Sequence, residues 1–429
     1  MTTRGVLPAA STESIRKISA AIGRETSDAF VARLSGPLRV MVVAGESSGD
    51  LLAAAAINAL RERLATTDQA LSVFGTGGAA LRAAGVDVRF DLEQLAVMGL
   101  TEVLFAYPRL KRIQKRLIRL LDSERPDVLL LVDYVEFNLT VGEAARMRGI
   151  PVLFYVGPQL WAWRPNRIER IRRSVSAMAV LFKFEVALYK KAGIPVRYVG
   201  HPLTQRLLPD STSVSSRALE AFVANDPLIG LMPGSRRSEI QRLWPVLLEL
   251  AERLHRHEPT LRFAVPLADG TPTALRDRID RDLQTRPYVL RIEGDEAARY
   301  VLARARAAVV ASGTVTLEAA WLDCPMLVIY RVSALSYAIL KRLIQIPNIA
   351  LVNIVAGDRV VPEFLQSQAR AENLVDPLKA ILAKGPARDQ QLAGLARVRD
   401  SLRAPDPAAA VADFLLETLA ACRTPAPSA

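Results

Sequence analysis

A chain of 429 residues is too long for one comfortable hydrophobic core and predicts two domains of ordinary size. Half of it is hydrophobic, which excludes a disordered chain, and 56 Lys and Arg against 44 Asp and Glu leave a formal charge of +12. That excess calls for an anionic partner: a phosphorylated substrate, an anionic membrane surface or, least of the three because no zinc-finger, RNP or basic-zipper pattern is present, nucleic acid.

Residues 1–37 are polar with scattered charge and read as an N-terminal extension that carries no chemistry. They lack the hydrophobic core of a signal peptide, and no apolar run reaches the ~18 residues of a spanning helix. The chain is therefore expected to stay in the cytoplasm. Residues 38–205 form the first domain. LRVMVVAG is a buried strand, GESSGD (Gly45–Asp50) a turn and LLAAAAINALRERL a helix, the first unit of a doubly wound sheet. Strands LSVFG, DVLLLVD and VLFYVG follow, apolar on both faces as a parallel sheet requires. Residues 206–227 are a polar linker. The pattern restarts over 228–385 with PLIGLMPGS, a helix from Ser238, LRFAVPL, YVLRI, AAVVASG and PMLVIY. Residues 386–429 are Ala- and Leu-rich helix and a Pro/Ala/Ser tail. The predicted fold is α/β, with two Rossmann-like domains facing across a cleft in which ligands bind at strand C-termini.

Several strand ends could carry chemistry. GESSGD and FGTGGAALRAAG are Gly-rich strand-to-helix turns, but neither matches a dinucleotide or P-loop fingerprint, and a tight turn capped by Asp50 explains the first equally well. Asp133, in VDYVEFN at the end of an apolar strand, suits a general base, with a helix cap or salt bridge as the plain alternative. In LMPGSRRSEI, Arg236 follows a Pro-Gly-Ser turn and could neutralise a diphosphate, or be a surface arginine. Ser312, Gly313 and Thr314 in AAVVASGTVTLE suit a phosphate or a simple N-cap. Trp161 and Trp163 stand one residue apart in a Pro-bracketed loop, and His201 lies beside the linker. His255 and His257 end a polar helix, Asp280 and Asp282 lie where charge recurs all round a helix, and two cysteines, Cys324 and Cys422, make neither a disulfide framework nor a zinc set, so no metal is expected.

One stretch addresses the membrane: VMGLTEVLFAYPRLKRIQKRLIRLL. Leu100, Val103, Leu104 and Phe105 form an apolar start, and Arg112, Lys115 and Arg116 gather on one face of the helix that follows. That is an interfacial pattern, and equally that of a core-packed helix with a basic solvent face.

Taken together in order, GESSGD, LAVMGLTEVL, PDVLLLVDYVEFN, GPQLWAWRPNRI, VGHPL, LMPGSRRSEI, ASGTVTLE, CPMLVIYRVS and VVPEFLQ resemble the lipid-A-disaccharide synthases over about residues 38–385. The resemblance implies an inverting glycosyltransferase of the two-Rossmann (GT-B) class, peripheral on the inner face of the inner membrane. It implies a UDP-2,3-diacylglucosamine donor, a 2,3-diacylglucosamine 1-phosphate (lipid X) acceptor, contact with anionic phospholipid, no nucleic acid and no cofactor. A homodimer is compatible with it. By position, Asp133 and Arg236 become the catalytic pair, and Ser312, Gly313, Thr314 and Glu318 the nucleotide turn. Glu46, Ser48, Gly49, Asp50, Gly77, Gly78, Met98, Asn138, Trp161, Trp163, Arg164, His201, Gly234, Ser235 and Asn353 are the further expected binding residues.

The chain departs from that family at Tyr134-Val135-Glu136, where a small residue, Pro and Asp are usual, at Ala79-Ala80-Leu81, at Lys183 and at Val352. Most of these changes lie in the acceptor half, so a UDP-sugar transferase using another membrane amphiphile is the second reading. A non-catalytic UDP-sugar- or lipid-binding paralogue is the third, and retention of both Asp133 and Arg236 argues against it.

Overall fold

The computed structural model describes residues 36–65, 67, 69–95, 100–158, 167–205, 214–268, 270–294, 296–333 and 348–423, with backbone alone over 100–106. The chain divides into two compact units, one running to Pro202 and resuming at Ala404, the other Leu203–Arg403.

The first unit is a seven-stranded sheet of β1 (Leu38–Ala44), β2 (Leu71–Gly77), β3 (Asp87–Asp91), β4 (Val128–Val132), β5 (Val152–Tyr155), β6 (Ala177–Val180) and β7 (Val196–Tyr198). Its order is β3-β2-β1-β4-β5-β6-β7 and every pair is parallel. The central strands β4, β5 and β6 read VLLLV, VLFY and AMAV and are buried at every position because each face is covered. Val40, Val42, Leu130 and Val132 enter one core layer with α1 (Ser47–Leu64), while Met41, Val43, Leu129 and Leu131 enter the other. That second layer holds α2 (Leu100–Ser123) through Ile113, Leu117 and Leu121, and α3 (Val135–Met147) through Phe137, Leu139 and Val141. Arg112, Lys115 and Arg116 are exposed on the other side of α2. The amphipathic pattern of 109–121 is thus a core-packed helix with a basic solvent face. Among the described residues no helix is long and apolar enough to cross a membrane.

The second unit repeats the plan with β8 (Leu228–Met232), β9 (Arg262–Leu267), β10 (Val289–Glu293), β11 (Ala307–Ala311), β12 (Met326–Tyr330) and β13 (Glu363–Leu365) in the order β10-β9-β8-β11-β12-β13, again all parallel. Helix α4 (Arg237–His257) follows β8 and buries Ile240, Leu243, Trp244 and Leu247. The short α5 (Val315–Trp321) follows β11. Asp282, which the sequence places on a solvated helix, accepts a hydrogen bond from the Trp244 indole at 2.8 Å.

The C-terminal stretch 386–429 divides between the units. Helix α6 (Pro386–Leu402) belongs to the second, where the buried Gln391 amide bridges the N–H and C=O of Met326 at 2.7 and 3.1 Å. Helix α7 (Pro407–Arg423) returns to the first, packing Val411, Leu415 and Leu419 into the layer shared with α1 and pairing Arg63 with Asp413. Gly200 sits at φ +94° where a Cβ would collide with Ala404, so the outgoing and returning chain run side by side there.

Candidate active site

In both sheets the strand order reverses between the first strand and the fourth, at β1/β4 and at β8/β11. In doubly wound sheets the crevice outside the carboxyl ends at that reversal is the ligand position. The expected site residues occupy both reversal points, Gly45–Asp50 and Asp133 in the first unit, Gly234–Arg236 and Ser312–Thr314 in the second.

In the first unit β1 and β4 pair up to Ala44 and Val132, which brings Gly45 and Asp133 to adjoining strand ends. Asp133 and Tyr134 both take the left-handed conformation, with φ +49° and +45°. Consecutive non-glycine residues in that region cost about 1–3 kcal/mol each and persist only where neighbours over-determine them. Here the neighbours do so. The Asp133 N–H donates to Tyr155 O at 3.0 Å, and its carbonyl accepts from the Asn138 amide at 2.8 Å. Asn138 is fully buried, and its Nδ2 also reaches the carbonyls of Val132 and Val43 at 3.2 and 3.3 Å. Asn138 is therefore a clamp on the two strand ends. Burial pushes the Asp133 carboxyl above the usual aspartate range, and the charge of Glu46 adds to that against a partly opposing hydrogen bond from the Tyr134 N–H. A half-buried carboxylate raised in this way at a strand end suits a proton acceptor.

Asp50 does different work. It is buried, and its carboxylate accepts the N–H groups of Gly78, Ala80 and Leu81 at 2.7, 3.0 and 3.4 Å. A Cβ on Gly77 or Gly78 would stand 2.9 Å from that carboxylate, so both glycines make room for Asp50. Glu46 and Ser48 are exposed and Gly49 is packed against Val132. Thr76, between the glycines of FGTGG, donates to Ala44 O at 2.7 Å and closes the end of β1.

The corresponding corner of the second unit is open. Arg236 caps α4, its Nη1 donating to Glu239 Oε1 at 3.0 Å while its backbone N–H reaches Oε2 at 3.4 Å. The guanidinium side chain is still 81% exposed. Gly234 has φ +96°, and a Cβ there would collide with the Glu239 carboxylate, so glycine is required twice over. Tyr330, at the end of β12, belongs to the same cluster: burial and Glu239 push its phenol up while Arg236 pulls it down. Ser235 and Thr314 are exposed. No atom stands within 4 Å of where a Gly313 Cβ would be, so the fold itself does not demand glycine there.

Behind this turn lies a buried polar knot. Ser312 donates to Ile349 O at 3.1 Å, and Thr316 donates to Gly313 O at 2.7 Å while accepting from Val352 N at 3.3 Å. Glu363 accepts the N–H groups of Ile349 and Ala350 at 2.9 and 3.0 Å and the Asn353 amide at 2.8 Å. Asn353 Oδ1 accepts from Val360 and Val361, both at 2.9 Å. With both ends engaged and no exposed surface, Asn353 shapes the site from behind. Glu363 and Thr316 were not singled out, although both lie in quoted motifs; their hydrogen bonds span up to 36 residues, which local spacing does not carry.

Of the other expected residues, Met98, Trp161, Trp163 and Arg164 lie outside the described residues. Leu100, Val103, Leu104 and Phe105 lie in α2, within its backbone-only part. His201 is half-buried 5.5 Å from the Phe182 ring, in the first unit. Glu318 is half-buried on α5.

Residues 40–407 match the model of the family described as Lipid-A-disaccharide synthetase. A lipid-A-disaccharide synthase of Geobacter metallireducens is 43% identical over 384 residues, covering 89% of this chain and 97% of that protein. One of Myxococcus xanthus is 38% identical over 387 residues, covering 90% and 99%. Among solved structures, the UDP-GlcNAc 2-epimerase of Neisseria meningitidis bound to UDP-GlcNAc has a TM-score of 0.57 at 17% identity, covering 89% of this chain and 99% of that one. A UDP-glucosyltransferase of Polygonum tinctorium has 0.57 at 12%, covering 90% and 99%. The two all-parallel sheets are the GT-B fold, and the chain belongs to the lipid-A-disaccharide synthetase family.

Proposed function

We propose that this protein transfers the diacylglucosamine unit of UDP-2,3-diacylglucosamine to 2,3-diacylglucosamine 1-phosphate (lipid X), with inversion, giving the β-1′,6-linked lipid A disaccharide 1-phosphate and UDP. The observation that carries the reading is Asp133, a carboxylate pushed up by burial and held in a strained conformation at the β1/β4 reversal of a chain of this family. Asp133 takes the proton of the acceptor hydroxyl as its oxygen bonds to the anomeric carbon, and the bond from that carbon to the UDP oxygen breaks on the opposite face. Arg236 meets the charge that develops on the departing diphosphate. An arginine guanidinium can serve there without a metal ion.

In this reading the first unit serves acceptor and membrane, and the second holds the UDP-sugar around Gly234, Ser235, Ser312, Gly313, Thr314 and Glu318. Glu46 and Ser48 face the acceptor, and Asp50, Gly77, Gly78, Asn138 and Asn353 shape the two corners. The basic face of α2, with Arg112, Lys115 and Arg116, rests on anionic phospholipid at the inner face of the inner membrane, from which both diacyl substrates come. The test is the purified protein with both substrates in mixed micelles containing EDTA, followed for disaccharide and UDP. Product is expected from the wild type and not from Asp133→Asn or Arg236→Ala. UDP binding without product would move the reading to another acceptor, and no binding of either substrate would overturn it.

A further inference from the structure

We propose that Tyr134 is a positioning residue for Asp133, fixing the base at its strand end and tying it to the segment that leads toward the basic helix α2. The proposal rests on Asp133 acting as the base in the reading above. Three contacts place Tyr134 in that role. Its ring fills the space over Gly45, where any Cβ would collide with it, so the glycine at the end of β1 exists to receive this ring. Its hydroxyl donates to the carbonyl of Leu95 at 3.1 Å, the last residue of the helix Leu92–Leu95. Its ring also lies 5.3 Å from that of Phe137, one turn into α3, tilted by 42°. The residue that must adopt φ +45° directly after Asp133 is therefore held from β1, from Leu95 and from α3 at once.

The chemistry follows from what the ring displaces. Filling the space over Gly45, one residue past the Ala44–Val132 pair, the ring covers the strand ends beside Asp133, and on this proposal that cover helps to keep the carboxylate basic. The charged groups bearing on this corner are Glu46, which raises Asp133 and Tyr134 alike, and Arg109 of α2, which lowers Tyr134. The hydroxyl acts separately, because it joins the base to backbone just ahead of α2. Ring and hydroxyl thus have distinguishable effects.

The experiment measures kcat and KM against pH for the wild type, Tyr134→Phe, Tyr134→Ala and Asp133→Asn, with thermal unfolding of each. In Tyr134→Ala, kcat is expected to fall about tenfold and the acid limb of the kcat profile to move to lower pH, since water reaches Asp133. Tyr134→Phe keeps the ring, so it should restore the wild-type acid limb while raising the KM of the lipid acceptor about threefold and leaving that of the UDP-sugar alone. An unmoved acid limb in a folded Tyr134→Ala overturns the proposal. So does an unchanged acceptor KM in Tyr134→Phe, a variant that alters one hydroxyl and serves even where the alanine does not fold. Asp133→Asn separates the two levels: if it stays active the base reading fails as well, and if it is inactive while both Tyr134 variants behave as wild type, only this proposal fails.

Discussion

The two strand-order reversals of this molecule occupy equivalent places in equivalent sheets and are built in opposite ways. The β1/β4 corner is half-buried and acidic: Asp133 is strained and pushed up in pKa, Glu46 adds a like charge, and Asn138 and Thr76 bolt the strand ends together. The β8/β11 corner is open and cationic, with an 81% exposed Arg236, an unobstructed Gly313 and exposed Ser235 and Thr314. A base gains strength from losing water, whereas a site for a solvated diphosphate must stay accessible until the ligand arrives. The proposed division of labour, proton transfer at one corner and anion capture at the other, would thus rest on the few residues after each strand.

The sharpest way to break that contrast is Asp133→Asn, which keeps shape and removes basicity. Loss of a general base predicts a fall of about 10²–10⁴ in kcat with little change in substrate KM. A variant within a few-fold of wild type would mean that the buried corner does no proton chemistry. Arg236→Ala comes next, with an expected loss of about 10²–10³ in kcat, the scale for one donor to developing charge. Calorimetry with UDP should show weakened binding in this variant and unchanged binding in Asp133→Asn; the reverse would exchange the roles assigned to the corners.

The packing behind the open corner sets the next two magnitudes. Asn353→Ala strips partners from the N–H groups of Val360 and Val361 and from Glu363, and each buried group left unpaired costs about 1–3 kcal/mol. Denaturant unfolding should show the loss, and a change below that range would mean that water replaces the amide. Gly234→Ala forces a Cβ at φ +96° into Glu239 and should cost about 1 kcal/mol or more, together with weaker UDP binding as Arg236 shifts.

Much of this was legible in the sequence. Apolar runs such as DVLLLVD and AAVVASG mark buried parallel strands, and the residues after them are where the structure places Asp133 and Ser312–Thr314. Less legible was which polar residues meet a ligand and which meet the protein. Asp50, Asn138 and Asn353 were expected beside the exposed residues, yet the Asp50 carboxylate and the Asn138 and Asn353 amide N–H groups are spent on backbone across gaps of 28, 95 and 8 residues. The division of 386–429 was hidden for a similar reason: α6 and α7 are both Ala- and Leu-rich amphipathic helices, and only the partners, Met326 for one and α1 for the other, distinguish them. Glu239 escaped notice because a carboxylate beside an arginine reads as a surface pair until Gly234 shows how closely it is packed.

The smallest expected effect follows from the same desolvation that the proposed role of Asp133 uses. Its folded pKa is raised, so the folded state holds this proton more tightly than the unfolded chain does. Stability from the protonated carboxyl is fully present below the ordinary aspartate pKa and is lost as pH rises through the higher, folded value. Asp133→Asn keeps a neutral side chain at every pH and escapes that loss. The variant should therefore unfold at the same temperature as wild type in acid and at a higher temperature at neutral pH, the gap opening between the two pKa values. A pH-independent difference between Asp133→Asn and wild type would mean that the carboxylate is solvated in the folded state, and the contrast between a dry corner and a wet one would go with it.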